Sequence, residues 1–204
     1  MDLPAVNQHF GNVDIYLLDQ ILKNKFQLGM KVLDAGCGEG RNLMYFINSG
    51  YDVYGIDINP MAIKALQFIV SSIRPDLSKN HFKEEDIANL SFPDNTFDLI
   101  IASAVLHFAR NHNHFFKMAE QLIRSLKSGA MLFIRIASDI GIENLVVPKG
   151  SGRFLIPDGS ERFLLTRDIL EKLESHYTLK FLEQFKTVNV NDLRCMSTLI
   201  VTIP

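Results

Sequence analysis

The chain is poor in cysteine: Cys37 and Cys195 are its only two in 204 residues. A small disulfide-stapled scaffold needs more and a zinc site needs clustered ligands, so neither class applies, and two reduced thiols in a cytoplasmic setting are expected. Positive charge is not in excess either. Lys and Arg number 21 against 23 Asp and Glu, a formal net charge of −2. No overall field gathers nucleic acid or anionic lipid, so neither is expected as a partner. No apolar run approaches the roughly 20 residues of a membrane-crossing helix. The first ten residues carry Asp2, Pro4 and His9 instead of the basic start and apolar run of a signal peptide. Repeats and low-complexity tracts are missing too. What remains is an ordinary globular composition, 47% hydrophobic and 22% charged, at a length that suits one soluble domain over residues 1–204.

The apolar pattern alternates between two periods. Ile15, Leu18, Ile21 and Leu22 recur at helical spacing after Asn12, a candidate N-cap, and a helical cap over residues 1–29 is expected. A short apolar run, Met30-Lys31-Val32-Leu33-Asp34, leads into Gly36, Gly38 and Gly40, after which Leu43, Phe46 and Ile47 begin a second helix. Asp52-Val53-Tyr54-Gly55-Ile56-Asp57 is another strand that stops at an acid, and Pro60 suits the first turn of the helix that follows. A third strand spans 81–85 and a fourth, near-continuous apolar run spans 97–103, as expected of a strand buried on both faces. A helix over 112–126, a turn at 127–129, a fifth strand over 130–136, a long loop over 138–160, a helix capped by Thr166 and running through Glu174, and two β-type runs over 177–188 and 193–203 complete the pattern. Alternating strands and helices predict an α/β fold, a doubly wound and mostly parallel sheet with helices on both faces. The last two runs have no helix between them, so one of them must be antiparallel.

The chemistry concentrates at strand ends. Val32-Leu33-Asp34-Ala35-Gly36-Cys37-Gly38-Glu39-Gly40 passes from a strand through a glycine-rich turn toward a helix. Glycines permit a sharp turn and close approach to a ligand, and in open α/β sheets ligands bind beyond such strand ends. Asp34 can accept from an ammonium group. Asp57, 17 residues past Gly40, can grip both hydroxyls of a ribose. Asp86 can accept from the exocyclic amine of an adenine, with Ile58, Met61 and Ile87 sandwiching the ring. The glycine spacing is one residue shorter than a dinucleotide fingerprint, and Glu39 stands where a pyrophosphate would be repelled, which speaks against an NAD-dependent oxidoreductase.

The segments 32–40, 54–57, 85–87, 97–100 and 126–130, in that order, resemble the motifs of class I S-adenosylmethionine-dependent methyltransferases. Gly40-Arg41-Asn42 with Gly50-Tyr51-Asp52-Val53 is similar to the tellurite-resistance type and related small-molecule enzymes. The resemblance implies a Rossmann-like seven-stranded sheet ending in an antiparallel strand, S-adenosylmethionine as cofactor and a small-molecule methyl acceptor. It implies that Asp34, Gly36 and Gly38 contact the methionine part, with Cys37 and Asn42 of the same turn also in the cofactor set. Asp57 then holds the ribose, Asp86 and Ile87 hold the adenine, and Ser103 lies near the sulfonium. A binding protein of the same fold without catalysis is the alternative.

An activated methyl asks the protein mainly for alignment, and no catalytic triad is visible. His107, after the fourth strand, is the candidate base or substrate ligand, against a structural reading as a backbone-bonded histidine that shapes the pocket floor. Cys37 reads more readily as a packing residue than as a reactive thiol. His112 and His114 lack a third ligand nearby, so no metal is expected. Arg135, Arg153 and Arg162 are candidates for an anionic substrate or for surface ion pairs, and the 138–160 loop with Phe154 and Phe163 is a candidate lid.

Overall fold

The computed structural model describes Val6 and residues 9–204. The remainder of the expected N-terminal cap lies outside the described residues. The sheet is built on β1 (Lys31–Ala35), β2 (Asp52–Asp57), β3 (Phe82–Glu84), β4 (Phe97–Ser103) and β5 (Leu126–Ser138). It is completed by β10 (Lys186–Val190) and β11 (Arg194–Thr202), with strand order β10-β11-β5-β4-β1-β2-β3. Pairs from β3 through β5 are parallel, while β11 runs antiparallel to both β5 and β10. The doubly wound α/β expectation therefore holds, antiparallel ending included. An eighth, two-residue strand, β9 (Lys180–Phe181), pairs with the end of β11.

Strand β4 is buried at six of its seven positions because it lies mid-sheet with apolar layers on both faces. One layer packs α4 (His112–Ser125) and α5 (Arg167–Tyr177) through Phe115, Leu122, Ile169 and Leu173. The other packs α1 (Ile15–Leu22), α2 (Met44–Asn48) and α3 (Pro60–Ile73) through Leu17, Phe46, Ile63 and Leu66. Side-chain caps set several helix starts: Asn59 accepts from the Met61 amide ahead of α3, Asn111 from His114 ahead of α4, and Thr166 from Ile169 ahead of α5.

Local expectations give way in five places. Asp14, not Asn12, caps α1, its carboxylate accepting from the Tyr16 amide. Helix α2 begins only at Met44; the residues from Gly38 to Leu43 form turns, so the glycine-rich segment does not open directly into a helix. The turn read at 127–129 is a bulge within β5, where Leu126 pairs with Phe97 but Met131 with Leu99. The run expected over 177–188 is broken into the end of α5, β9 and the start of β10.

The fifth correction is the largest. The expected long loop contains β6 (Val147–Gly150) and β7 (Arg153–Leu155), which join β8 (Glu161–Phe163) in a separate three-stranded antiparallel sheet. Its turn requires Gly152: φ is +84°, and a Cβ there would lie 2.3 Å from Phe163 Cε2. Phe163 is fully buried and stacks on Phe115 with centroids 4.6 Å apart, so it is core rather than lid.

Candidate functional site

The site is assembled at the carboxyl ends of β1, β2 and β4. Backbone bonds fold the glycine-rich turn onto β2: the Gly36 and Cys37 amides both donate to the Ile56 carbonyl, at 2.8 and 2.9 Å. Gly36 has φ +79°, and a Cβ there would sit 2.4 Å from Val105 Cγ2, so the segment after β4 packs directly onto this glycine. That segment is held by Ala104, itself left-handed at φ +59°, whose amide donates to the Arg135 carbonyl.

Asp34 is the anomaly of the region. It lies in β1 among buried apolar residues, and neither carboxylate oxygen has a hydrogen-bond partner among the described residues. Burial pushes its carboxyl up to about 7 from an ordinary 3.8; Asp57 adds to this and Arg41 opposes it. A buried carboxylate without partners is costly unless a cation or donor completes it.

Asp57 is placed very differently. Its Oδ2 accepts from the Gly38 amide at 2.9 Å and its Oδ1 from the Asn59 amide at 2.8 Å. Each oxygen keeps a lone pair for a further donor, so the carboxylate is fixed in direction and still able to grip a diol. Asp86 caps a single turn over Ile87–Asn89, accepting from the Ala88 amide at 2.8 Å. Lys117 of α4 donates to Asn89 at 2.8 Å and ties that turn to the helix.

Gly36, Asp57, Ile58, Asp86 and Ile87 line one cavity of about 430 Å³, within the range of small-ligand sites. Ala104, Val105 and Phe108 supply its β4 side, and Arg110, His114 and Met118 its α4 side. These last six positions went largely unread in the sequence, because no motif marks the residues that a loop after β4 and a helix face bring to the cavity.

The other expected site residues lie elsewhere. Met61 is exposed and does not line the cavity, so the expected sandwich keeps only Ile58 and Ile87. Cys37 is buried and its thiol is pushed up by burial, with Asp34 and Asp57 adding to the effect, which makes it a packing residue. Asn42 and Ser103 meet at Asp14: the Asp14 amide donates to Asn42 Oδ1 at 3.0 Å, and Ser103 Oγ donates to Asp14 Oδ2 at 3.2 Å. Arg135 Nη1 donates to that same Oδ2 at 2.7 Å. These three residues thus anchor the segment before α1, Asn42 from the turns after β1, Ser103 from β4 and Arg135 from β5. No local motif marks Asp14 for this role.

His107 is buried outside the cavity lining. The Ala137 amide points at its Nδ1 across 3.4 Å, and burial, reinforced by Arg162, lowers its basicity to about 4. His112 and His114 diverge: His112 meets the edge of Phe163, while His114 lines the cavity. Arg153 pairs with Glu161 at 2.6 Å, and Arg162 lies over the Phe108 ring, 5.1 Å from its centroid.

The family model of the methyltransferase domain matches residues 33–134, which is half of the chain and contains Asp34, Asp57 and Asp86. The chain belongs to the methyltransferase-domain family. The family implies S-adenosylmethionine as methyl donor. An uncharacterized methyltransferase of Schizosaccharomyces pombe is 34% identical over 94 residues, covering 45% of this chain and 63% of that protein. The 2-heptyl-1-hydroxyquinolin-4(1H)-one methyltransferase of Mycobacteroides abscessus is 34% identical over 76 residues, 37% of this chain and 33% of that protein. The matched part of this methyltransferase domain thus spans less than two thirds of these relatives. A solved SAM-dependent methyltransferase of Methanosarcina mazei shares the fold, with TM-score 0.72 at 23% identity, covering 90% of this chain and 96% of that one.

Proposed function

We propose that this protein transfers a methyl group from S-adenosylmethionine to a small-molecule acceptor. The observation that carries the reading is Asp34: a buried carboxylate with two oxygens unpartnered among the described residues, at the tip of the strand and two residues before Gly36, which lines the cavity. The methionine ammonium is the cation this carboxylate lacks. The donor set fits the rest of the group as well. Asp57, fixed by two backbone amides, takes the ribose hydroxyls, while Asp86 with Ile58 and Ile87 takes the adenine.

When bound, the cofactor supplies a methyl on a positive sulfur, already activated for displacement. The chain's contribution is placement and exclusion of water. Val105, packed on Gly36, and Ala104 form the wall nearest the glycine-rich turn. Asp14, Ser103 and Arg135 bind the N-terminal segment over the neighbouring strand ends. A small acceptor is supported by Phe108, which is 57% exposed, lines the cavity and carries a guanidinium against its ring face. Such a surface suits a flat, electron-rich molecule. The quinolinone named in the M. abscessus relative is of that kind. His107, buried behind the cavity lining and weakly basic, serves as a packing residue rather than as a base. Acceptors that lose no proton, or lose it to water, are therefore expected.

Isothermal titration with S-adenosylhomocysteine tests the reading. The wild type should bind at micromolar level, and Asp57→Ala should weaken binding at least tenfold by removing both ribose acceptors. Unchanged affinity in Asp57→Ala would remove the ribose from Asp57.

A further inference from the structure

His114 is the one α4 side chain at the cavity whose hydrogen bonding is half complete. The Arg110 backbone amide donates to its Nδ1 at 3.1 Å. That bond uses the Nδ1 lone pair, so in the neutral ring the proton resides on Nε2. Burial, with Arg110 and Lys117 adding to it and Asp86 opposing, lowers the ring's basicity. Nε2 is buried and has no partner among the described residues. The ring therefore holds an unused donor, in a side chain that lines the same cavity as Asp86.

Asp86 and His114 have opposite senses. A carboxylate only accepts, and a neutral Nε2–H only donates. Adenine offers the complement: its 6-amino group donates, and the ring nitrogens on either side of the amino-bearing carbon's edge, N1 and N7, accept. Hypoxanthine and guanine reverse this along the N1 side, with an oxygen at position 6 and a hydrogen on N1. A backbone amide could take part in adenine binding in many folds, but a side-chain donor paired with an acid adds discrimination, because the wrong base leaves two buried groups unpaired.

We propose that His114 is a specificity-determining residue for the cofactor's base, donating from Nε2 to the ring nitrogen beside the amino group that Asp86 accepts. This rests on the adenosyl reading of the cavity. It assigns selection for adenine over 6-oxopurines to a histidine held in one tautomer by a backbone amide.

The test compares ligands and variants in one cycle. S-adenosylhomocysteine, its 1-deaza and 7-deaza forms and S-inosylhomocysteine are titrated into the wild type, His114→Leu and His114→Gln. In the wild type, one deaza form should bind about tenfold more weakly than the parent, the effect of one buried donor left unpaired. S-inosylhomocysteine should lose about 100-fold. In His114→Leu the deaza penalty should shrink to within twofold, and in His114→Gln, whose amide can donate from a similar reach, it should persist at threefold or more. Equal affinity of all deaza forms for the wild type, which needs no variant, would overturn the proposal. So would an undiminished penalty in a folded His114→Leu. Failure of S-adenosylhomocysteine itself to bind the wild type would instead overturn the cofactor reading, and this inference with it.

Discussion

Replacing Asp34 by Asn should make the protein more stable and less able to bind its cofactor. The carboxyl keeps its proton up to about pH 7 in the folded chain, because burial disfavours the charge, whereas the ordinary value is 3.8. Between these values the folded state holds more protons than the unfolded one. Stability from this group is therefore greatest at the acid end and falls as pH rises from about 4 to 7. At about 1.4 kcal/mol per pKa unit, the ionised carboxylate costs about 4 kcal/mol by neutral pH. An amide in the same place lacks partners just as the protonated carboxyl does, so that penalty largely cancels between them. Asp34→Asn should thus gain about 4 kcal/mol at pH 7.5, or roughly 8–16 °C in melting temperature for a chain of this size.

His107 opposes this trend. Its basicity is lowered to about 4 in the fold, so its contribution is full above about pH 6.5 and is lost as pH falls toward 4. The two slopes partly cancel in the wild type. The informative quantity is the difference in melting temperature between wild type and Asp34→Asn, which should grow from less than half its full value at pH 5 to its full value at pH 7.5. Binding supplies the second arm. If the ammonium needs ionised Asp34, affinity for S-adenosylhomocysteine should fall about tenfold from pH 7 to pH 5.5, with about one proton released per ligand at the acid end. Calorimetry in buffers of different ionisation enthalpy counts that proton. A stability difference independent of pH, or binding that is flat over this range in the wild type, would refute the argument.

Three further outcomes are expected. Gly36→Ala should cost about 2–4 kcal/mol in thermal or denaturant unfolding, because the left-handed backbone and the contact with Val105 act together; the double variant with Val105→Ala should recover part of the loss. Asp14→Ala should cost about 2–4 kcal/mol, since its carboxylate is fully buried while Arg135 is only 25% exposed and would be left unpaired; Asp14→Ala with Arg135→Leu should be less destabilised than Asp14→Ala alone. The pH profile of kcat/KM should show no limb from His107 between pH 5.5 and 7, and the limb that does appear should weaken in Asp34→Asn.

How much was legible from residues differs between the two halves of the site. Val32-Leu33-Asp34 before Gly36, and Ile56-Asp57 before Pro60, revealed strand ends with acids because strand, turn and helix start lie within a dozen residues of one another and obey local rules. The helix-free tail similarly revealed the antiparallel ending. Where local rules competed, the reading slipped. Asn12 and Asp14 are both able caps, and Asp14 wins because its carboxylate also meets Ser103 and Arg135. The glycines of 138–160 suggested a loop, yet β6 and β7 are strands because β8, later in the chain, pairs with β7.

The sequence by itself determined the alternation of strands and helices, the acids at their tips and the glycines that let the first turn form. Those depend on side chain, backbone and neighbours a few residues apart. Only the tertiary structure decided which groups are left unsatisfied. That Asn42 and Ser103 serve Asp14 and that His107 is enclosed depend on atoms 28 to 121 residues apart in the chain, and that Asp34 has no partner among the described residues is likewise a property of the packed interior. Burial and pairing are properties of the assembled interior, and no spacing along the chain records them.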